Sequence, residues 1–180
     1  ASARMARGTL DLDVPERRIV VNKAGEMTGV TVRERLASHQ LIEEFMILAN
    51  VAAARALQTK KAPCVYRIHD IPSFEKLKKM KNYLATFGIE TPQGEVTEPA
   101  QLSEVLKKSK GKPFTHLVQE QMLRTQMQAV YSTDNIGHFG LALDHYAHFT
   151  SPIRRYADLL VHRSLITAYK LGPGGLEAED

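Results

Sequence analysis

Hydrophobic and polar positions change period several times along the chain. Residues 9–14, 18–22 and 27–33 alternate as half-buried strands do, broken by Pro15 and by a turn around Gly25. From about Glu34 to Gln58 the period becomes helical, with Leu36, Ile42, Phe45, Leu48, Ala49, Ala52, Ala56 and Leu57 on one broad apolar face. Val65 to Ile68 reads as a short strand. Ser73 is placed to cap a helix running to about Phe87, and Gly88 stands just past its end. The polar stretch IETPQGEVTEPA, residues 89–100, predicts a flexible connection. Helices are expected at Ala100 to Lys108 and Phe114 to Val130, a strand at Gly137 to Leu143, and a last helix from Pro152 to about Lys170. Together these elements predict one α+β unit across residues 1–180.

Composition bounds that picture. With 180 residues and 43% hydrophobic content the chain can build one sizeable core. No apolar run approaches the roughly 18 residues that suggest a membrane span, and no secretory signal opens the sequence, so no membrane partner is expected. The single cysteine, Cys64, cannot form an internal disulfide and suits a reducing cytoplasm. A net charge of +4 permits an anionic partner without demanding one. The chain starts Ala-Ser-Ala and ends on an acidic, glycine-rich tail, and is expected to be a piece of a longer polypeptide.

Chemistry concentrates in the run HFGLALDHYAHFTSPIRRYADLLVHR, from His138 to Arg163. Ser151 and Pro152 mark a helix start, with Arg154 and Arg155 in the first turn. Free amides, the helix dipole and two guanidiniums make a phosphate site. The structural alternative is a capped helix whose arginines pair with carboxylates such as Asp158. His138, His145 and His148 match no familiar zinc spacing and have no cysteine pair beside them, so no metal site is assigned to them. Phe139 and Phe149 are expected inside, whereas Tyr146 and Tyr156 are open to either a core or a base-stacking role. Glu43 and Glu44 interrupt an apolar run on the long helix, where a carboxylate must be solvated or hydrogen-bonded. The lysine run EKLKKMKNY, residues 75–83, is expected to be a solvated face, with uniform phosphate attraction as the alternative.

The His138–Arg163 run resembles the signature near the end of the catalytic domain of ribonuclease II and ribonuclease R type enzymes, the RNB family of processive 3′→5′ exoribonucleases. SHQLIEEFMILANVAAARAL, from Ser38 to Leu57, resembles the long helix earlier in that domain, and CVYRIHDIPSFEKL, from Cys64 to Leu77, resembles the ribonuclease R branch. The resemblance implies the C-terminal part of an RNB catalytic domain in a monomeric parent that degrades single-stranded RNA to nucleoside 5′-monophosphates. It implies Mg²⁺ held by closely spaced aspartates in the missing portions of the same polypeptide. Of this chain's own aspartates only Asp11 and Asp13 lie close together, and they are taken as solvated strand carboxylates rather than ligands. Flanking oligonucleotide-binding β-barrels, usual in the family, are not recognisable here.

The same resemblance assigns roles residue by residue. Arg154 aligns with the arginine that contacts phosphate at the cleavage centre and is the expected catalytic residue. Glu43 is expected to accept a hydrogen bond from a ribose 2′-OH, a group DNA lacks. His148, Ser151, Arg155, Tyr156 and Arg163 complete the expected RNA-binding set. Leu12 stands where family members often carry a base-stacking aromatic. Two competing expectations are a non-catalytic RNA-binding module and a piece that is purely structural until joined to the rest.

Overall fold

A computed structural model describes residues 4, 6–10, 12, 17–32, 36–91, 94 and 96–177, with residue 17 described by its backbone alone. Asp11 and Asp13 lie outside the described residues. The first described strands, β1 (Arg17–Val21) and β2 (Met27–Val32), form an antiparallel hairpin. Its turn is set by Asn22, whose Oδ1 accepts the Ala24 and Glu26 amides at 2.9 and 3.0 Å, with Gly25 at φ 82°.

Helix α1 (Ala37–Thr59) follows, then β3 (Tyr66–Ile68), α2 (Phe74–Ala85), α3 (Pro99–Ser109), α4 (Thr115–Thr125), β4 (Val130–Ser132) and α5 (Tyr156–Tyr169). β3 pairs antiparallel with β4, Tyr66 opposite Ser132 and Ile68 opposite Val130. Short strands therefore join helices without forming a large sheet, and the α+β expectation holds.

Two hydrophobic cores organise the chain. In the first, α2, α3 and α4 bring Leu77, Met80, Leu84, Leu102, Val105, Val118 and Met122 together, and Phe139 enters from the C-terminal segment. Ile89 and Val96 reach into it from the polar stretch of residues 89–100, anchoring that connection. Leu12 packs on its edge. In the second, Ala53, Ala54 and Leu57 of α1 meet Cys64, Tyr66, Ala147 and Val161 of α5. Alanines at 53 and 54 let the α1 backbone approach closely.

Five expectations need correction; in the first, the described residues of the 9–14 stretch, Thr9, Leu10 and Leu12, are not in a strand. The buried face of α1 is Ile47, Asn50, Ala53, Ala54 and Leu57, while Leu36, Ile42, Phe45 and Leu48 are exposed. An almost continuous apolar run leaves the helical face undetermined, and the partner α5 selects it. The fourth helix stops at Thr125, since Gln126 is extended and Val130–Ser132 pair with β3. Residues 137–143 form no strand: Phe139–Leu141 is a 3₁₀ turn that seats Phe139 in the first core and closes on Ala142 at φ 52°. The last helix begins at Tyr156, not Pro152, with residues 152–154 in a turn and no side-chain cap from Ser151.

Candidate functional site

That displaced helix start produces the site. The Arg154 and Arg155 amides both return to the Ser151 carbonyl, at 3.3 and 3.2 Å, closing a tight turn before α5. Asp158, in the first turn of α5, is fully buried at 0% exposure. It accepts the Ser151 N–H at 2.8 Å and the Arg155 Nε and Nη2 at 2.7 Å each. Burial alone raises a carboxyl pKa, but the Arg155 hydrogen bonds and the Ser151 amide outweigh it, and Asp158 is held below its usual value. Its charge in turn raises the Arg155 guanidinium.

The segment leading into the turn is held as firmly. Asn50, 2% exposed on α1, accepts the Phe149 N–H through Oδ1 at 2.9 Å and donates Nδ2–H to the Tyr146 hydroxyl at 3.0 Å. His162 of α5 donates Nε2–H to the Phe149 carbonyl at 2.8 Å and stacks on its ring, centroids 4.1 Å apart and planes 8° from parallel. Phe149, expected inside, is half-buried by that stack.

Behind the segment lies a chain of rings: His69 to His138 at 4.9 Å, His138 to Tyr146 at 5.4 Å, Tyr146 to His148 at 5.8 Å and His148 to Tyr131 at 5.6 Å. His69 is fixed as one neutral tautomer, its Nε2–H donating to the Met127 carbonyl at 2.8 Å and its Nδ1 accepting the Gly140 amide at 2.9 Å. His148 Nδ1 shares a 2.8 Å hydrogen bond with the Tyr131 hydroxyl. Burial, then the neighbouring Arg155 charge, pushes its pKa down to about 4. Burial, then His69, pushes His138 down to about 3. These histidines stay neutral near pH 7, as structural rings do.

Arg154 differs from its neighbours. It is exposed and makes no side-chain hydrogen bond or ion pair among the described residues. Beside it Ile153 is 99% and Tyr156 67% exposed. Arg155 is committed to Asp158, and Arg163 donates Nε and Nη2 to the Gly175 carbonyl at 3.2 and 3.1 Å, tying down the C-terminal tail. Glu43 is exposed on α1, and its neighbour Glu44 pairs with Arg4, which lowers the Glu44 pKa to about 2. Among the described residues no three His, Cys, Asp or Glu side chains come together as a metal site. Of the expected site residues, the turn thus carries Ser151, Arg154, Arg155 and Tyr156, of which Arg154 and Tyr156 are exposed, with His148 in the ring chain behind. The pairing of an arginine with Asp158, the structural alternative for this run, is realised by Arg155, whereas Asn50 was missed as a support although a lone amide in an apolar helix was a visible signal.

Residues 1–170 match the RNB domain family. The chain belongs to that family. Ribonuclease R of Escherichia coli (strain K12) is 42% identical over 163 residues, covering 91% of this chain and 20% of the relative. The RNB chain described here thus spans about a fifth of the length of that relative. Mycoplasma genitalium RNase R, solved in complex with ribose methylated single-stranded RNA, superposes with a TM-score of 0.87 at 33% identity, covering 92% of this chain and 26% of that one. Yeast Ssd1, a pseudonuclease, superposes with a TM-score of 0.68 at 25% identity, over 81% of this chain and 18% of its own. No described helix is long and apolar enough to cross a membrane.

Proposed function

We propose that this chain is part of a processive, cytoplasmic 3′→5′ exoribonuclease that hydrolyses single-stranded RNA to nucleoside 5′-monophosphates. It supplies a wall of the RNA channel and the phosphate-binding arginine, Arg154. The observation that carries this is one exposed, uncommitted guanidinium on a turn pinned by buried Asp158 and Asn50.

Phosphodiester hydrolysis accumulates negative charge on the nonbridging oxygens. A guanidinium carried on a pinned turn is presented where that charge forms, and can bind it more tightly in the transition state than in the ground state. Two parallel N–H groups also define an orientation that a lysine point charge does not. Glu43, exposed on α1, is the acceptor for a ribose 2′-OH, and Ser151 and Tyr156 flank the phosphate on the same surface. His148, neutral at working pH, shapes the channel from behind. Arg155 and Arg163 have internal partners and leave phosphate contact to Arg154. Mg²⁺ would be held by residues other than those described, where closely spaced aspartates could carry its charge.

The test uses the full-length polypeptide and a 5′-labelled oligoribonucleotide. Arg154→Ala is expected to lower kcat by about 10²–10³-fold, with Arg154→Lys between it and the unsubstituted protein. An unchanged ladder of shortened products would overturn the assignment. Similarity to a pseudonuclease favours one second reading, a non-catalytic RNA-binding module. Salt-sensitive RNA binding without any ladder would select it.

A further inference from the structure

The two adjacent arginines at the turn have opposite fates. Arg155 folds back with both Nε and Nη2 on the Asp158 carboxylate at 2.7 Å, and Arg154 faces outward. Their amides converge on one carbonyl, that of Ser151, so both side chains spring from the same short turn. Asp158 is wholly enclosed and held ionised, and an enclosed carboxylate must keep a cation or lose its charge.

We propose that Arg155 is a positioning residue for Arg154: by occupying the buried Asp158 carboxylate, it keeps the Arg154 guanidinium free to meet an RNA phosphate. The inference rests on the phosphate role assigned to Arg154 above. Asp158 Oδ1 accepts Arg155 Nη2 and the Ser151 amide together, so the same carboxylate also fixes the mouth of the turn. The geometry divides labour between the pair. One arginine satisfies the fold, and the other is left to the ligand. Without Arg155 the nearest cation in sequence able to neutralise Asp158 is Arg154 itself, and capture would draw it inward, away from the channel.

Single-turnover cleavage and RNA affinity of the full-length polypeptide test this, using Arg154→Ala, Arg155→Gln, Arg155→Lys, Asp158→Asn and the double variant Arg155→Gln/Asp158→Asn. Arg155→Gln is expected to approach the Arg154→Ala rate, about 10²-fold down, while RNA affinity changes far less. Removing the charge that captures Arg154 should reverse the loss. The double variant is expected to return to within about threefold of the unsubstituted rate. Arg155→Lys, which still neutralises Asp158, is expected to recover most of the activity.

An Arg155→Gln rate equal to the unsubstituted one, or a double variant no faster than Arg155→Gln, overturns the proposal. Failure of the underlying assignment looks different, because Arg154→Ala would then cleave normally. Should Arg155→Gln not fold, the decision passes to Asp158→Asn and the double variant, where no enclosed charge remains. Folded proteins cleaving near the unsubstituted rate are then expected, and losses matching Arg154→Ala in both would overturn the proposal.

Discussion

The side chain of Asn50 is hydrogen-bonded to the backbone of Phe149, 99 residues away, at 2.9 Å. The same amide donates to Tyr146 at 3.0 Å, so one residue of α1 fixes two points of the segment that carries the arginine turn. A helix otherwise committed to apolar packing thereby sets the position of a surface guanidinium.

Asn50→Ala is expected to leave the Phe149 amide and the Tyr146 hydroxyl without their partner in a closed environment. Each unsatisfied group costs about 1–3 kcal/mol, for a total loss of about 2–6 kcal/mol. Urea denaturation measures this as a lower midpoint at unchanged slope. A midpoint shift equivalent to less than about 0.5 kcal/mol, the scale of a neutral surface substitution, would mean the clamp is dispensable.

Gly8 sits at φ 87°, and a Cβ there would clash with the Ala100 backbone at the start of α3. The neighbour is backbone and cannot rotate away, and the conformation itself strains an L side chain. Gly8→Ala should lower stability by about 1–3 kcal/mol, visible as a drop in Tm. Gly25→Ala provides the control, since nothing lies within 4 Å of its added methyl and only the conformational strain remains.

Stability should fall on mild acidification. His138 is held at about 3 and His148 at about 4 in the folded chain, against about 6.5 in the unfolded one. Between those values the unfolded chain binds more protons. Their contribution is therefore complete above about pH 6.5 and is lost as pH falls toward 4 and then 3. Glu44, held at about 2 by Arg4, adds a loss of the same sign that begins only near 4.5. Urea midpoints across this range are expected to decline in wild type, with His138→Gln flattening the upper limb and Glu44→Gln the lower. A flat wild-type profile down to about pH 5 would contradict the buried neutral rings.

Leu57 and Leu102 are both fully buried, in separate cores. Each Leu→Ala change is expected to cost about 2–5 kcal/mol through lost burial and a residual cavity. Because the cores share no buried side chains among the described residues, the two costs should add within about 0.5 kcal/mol in the double variant. Strong non-additivity in denaturation would show that the cores communicate more closely than their packing indicates.

Sequence by itself determined much of the architecture. Periodicity placed the five longer helices among the described residues, the β1–β2 hairpin turn and the Ser73 cap, whose Oγ accepts the Lys76 amide at 3.4 Å. These are local features, fixed by dihedral preference, capping and spacing within one or two turns. The run containing Arg154 carries the resemblance to the RNB family in its sequence alone. Tertiary structure decided what depended on a distant partner. The apolar stripe of α1 has no preferred side until α5 packs on it, and Ile42, Phe45 and Leu48 stay outside. Residues 126–130 continue a helical pattern, but β3 recruits the chain into β4. Ser151 and Pro152 carry the chemistry of a helix start, yet the chain closes a turn on the Ser151 carbonyl, Asp158 holds the Ser151 amide, and the helix begins at Tyr156. The buried carboxylate that holds this turn is invisible in a linear pattern, because its effect depends on enclosure. It is also what separates Arg154 from Arg155, two identical side chains whose roles differ only by where the fold leaves a charge to neutralise.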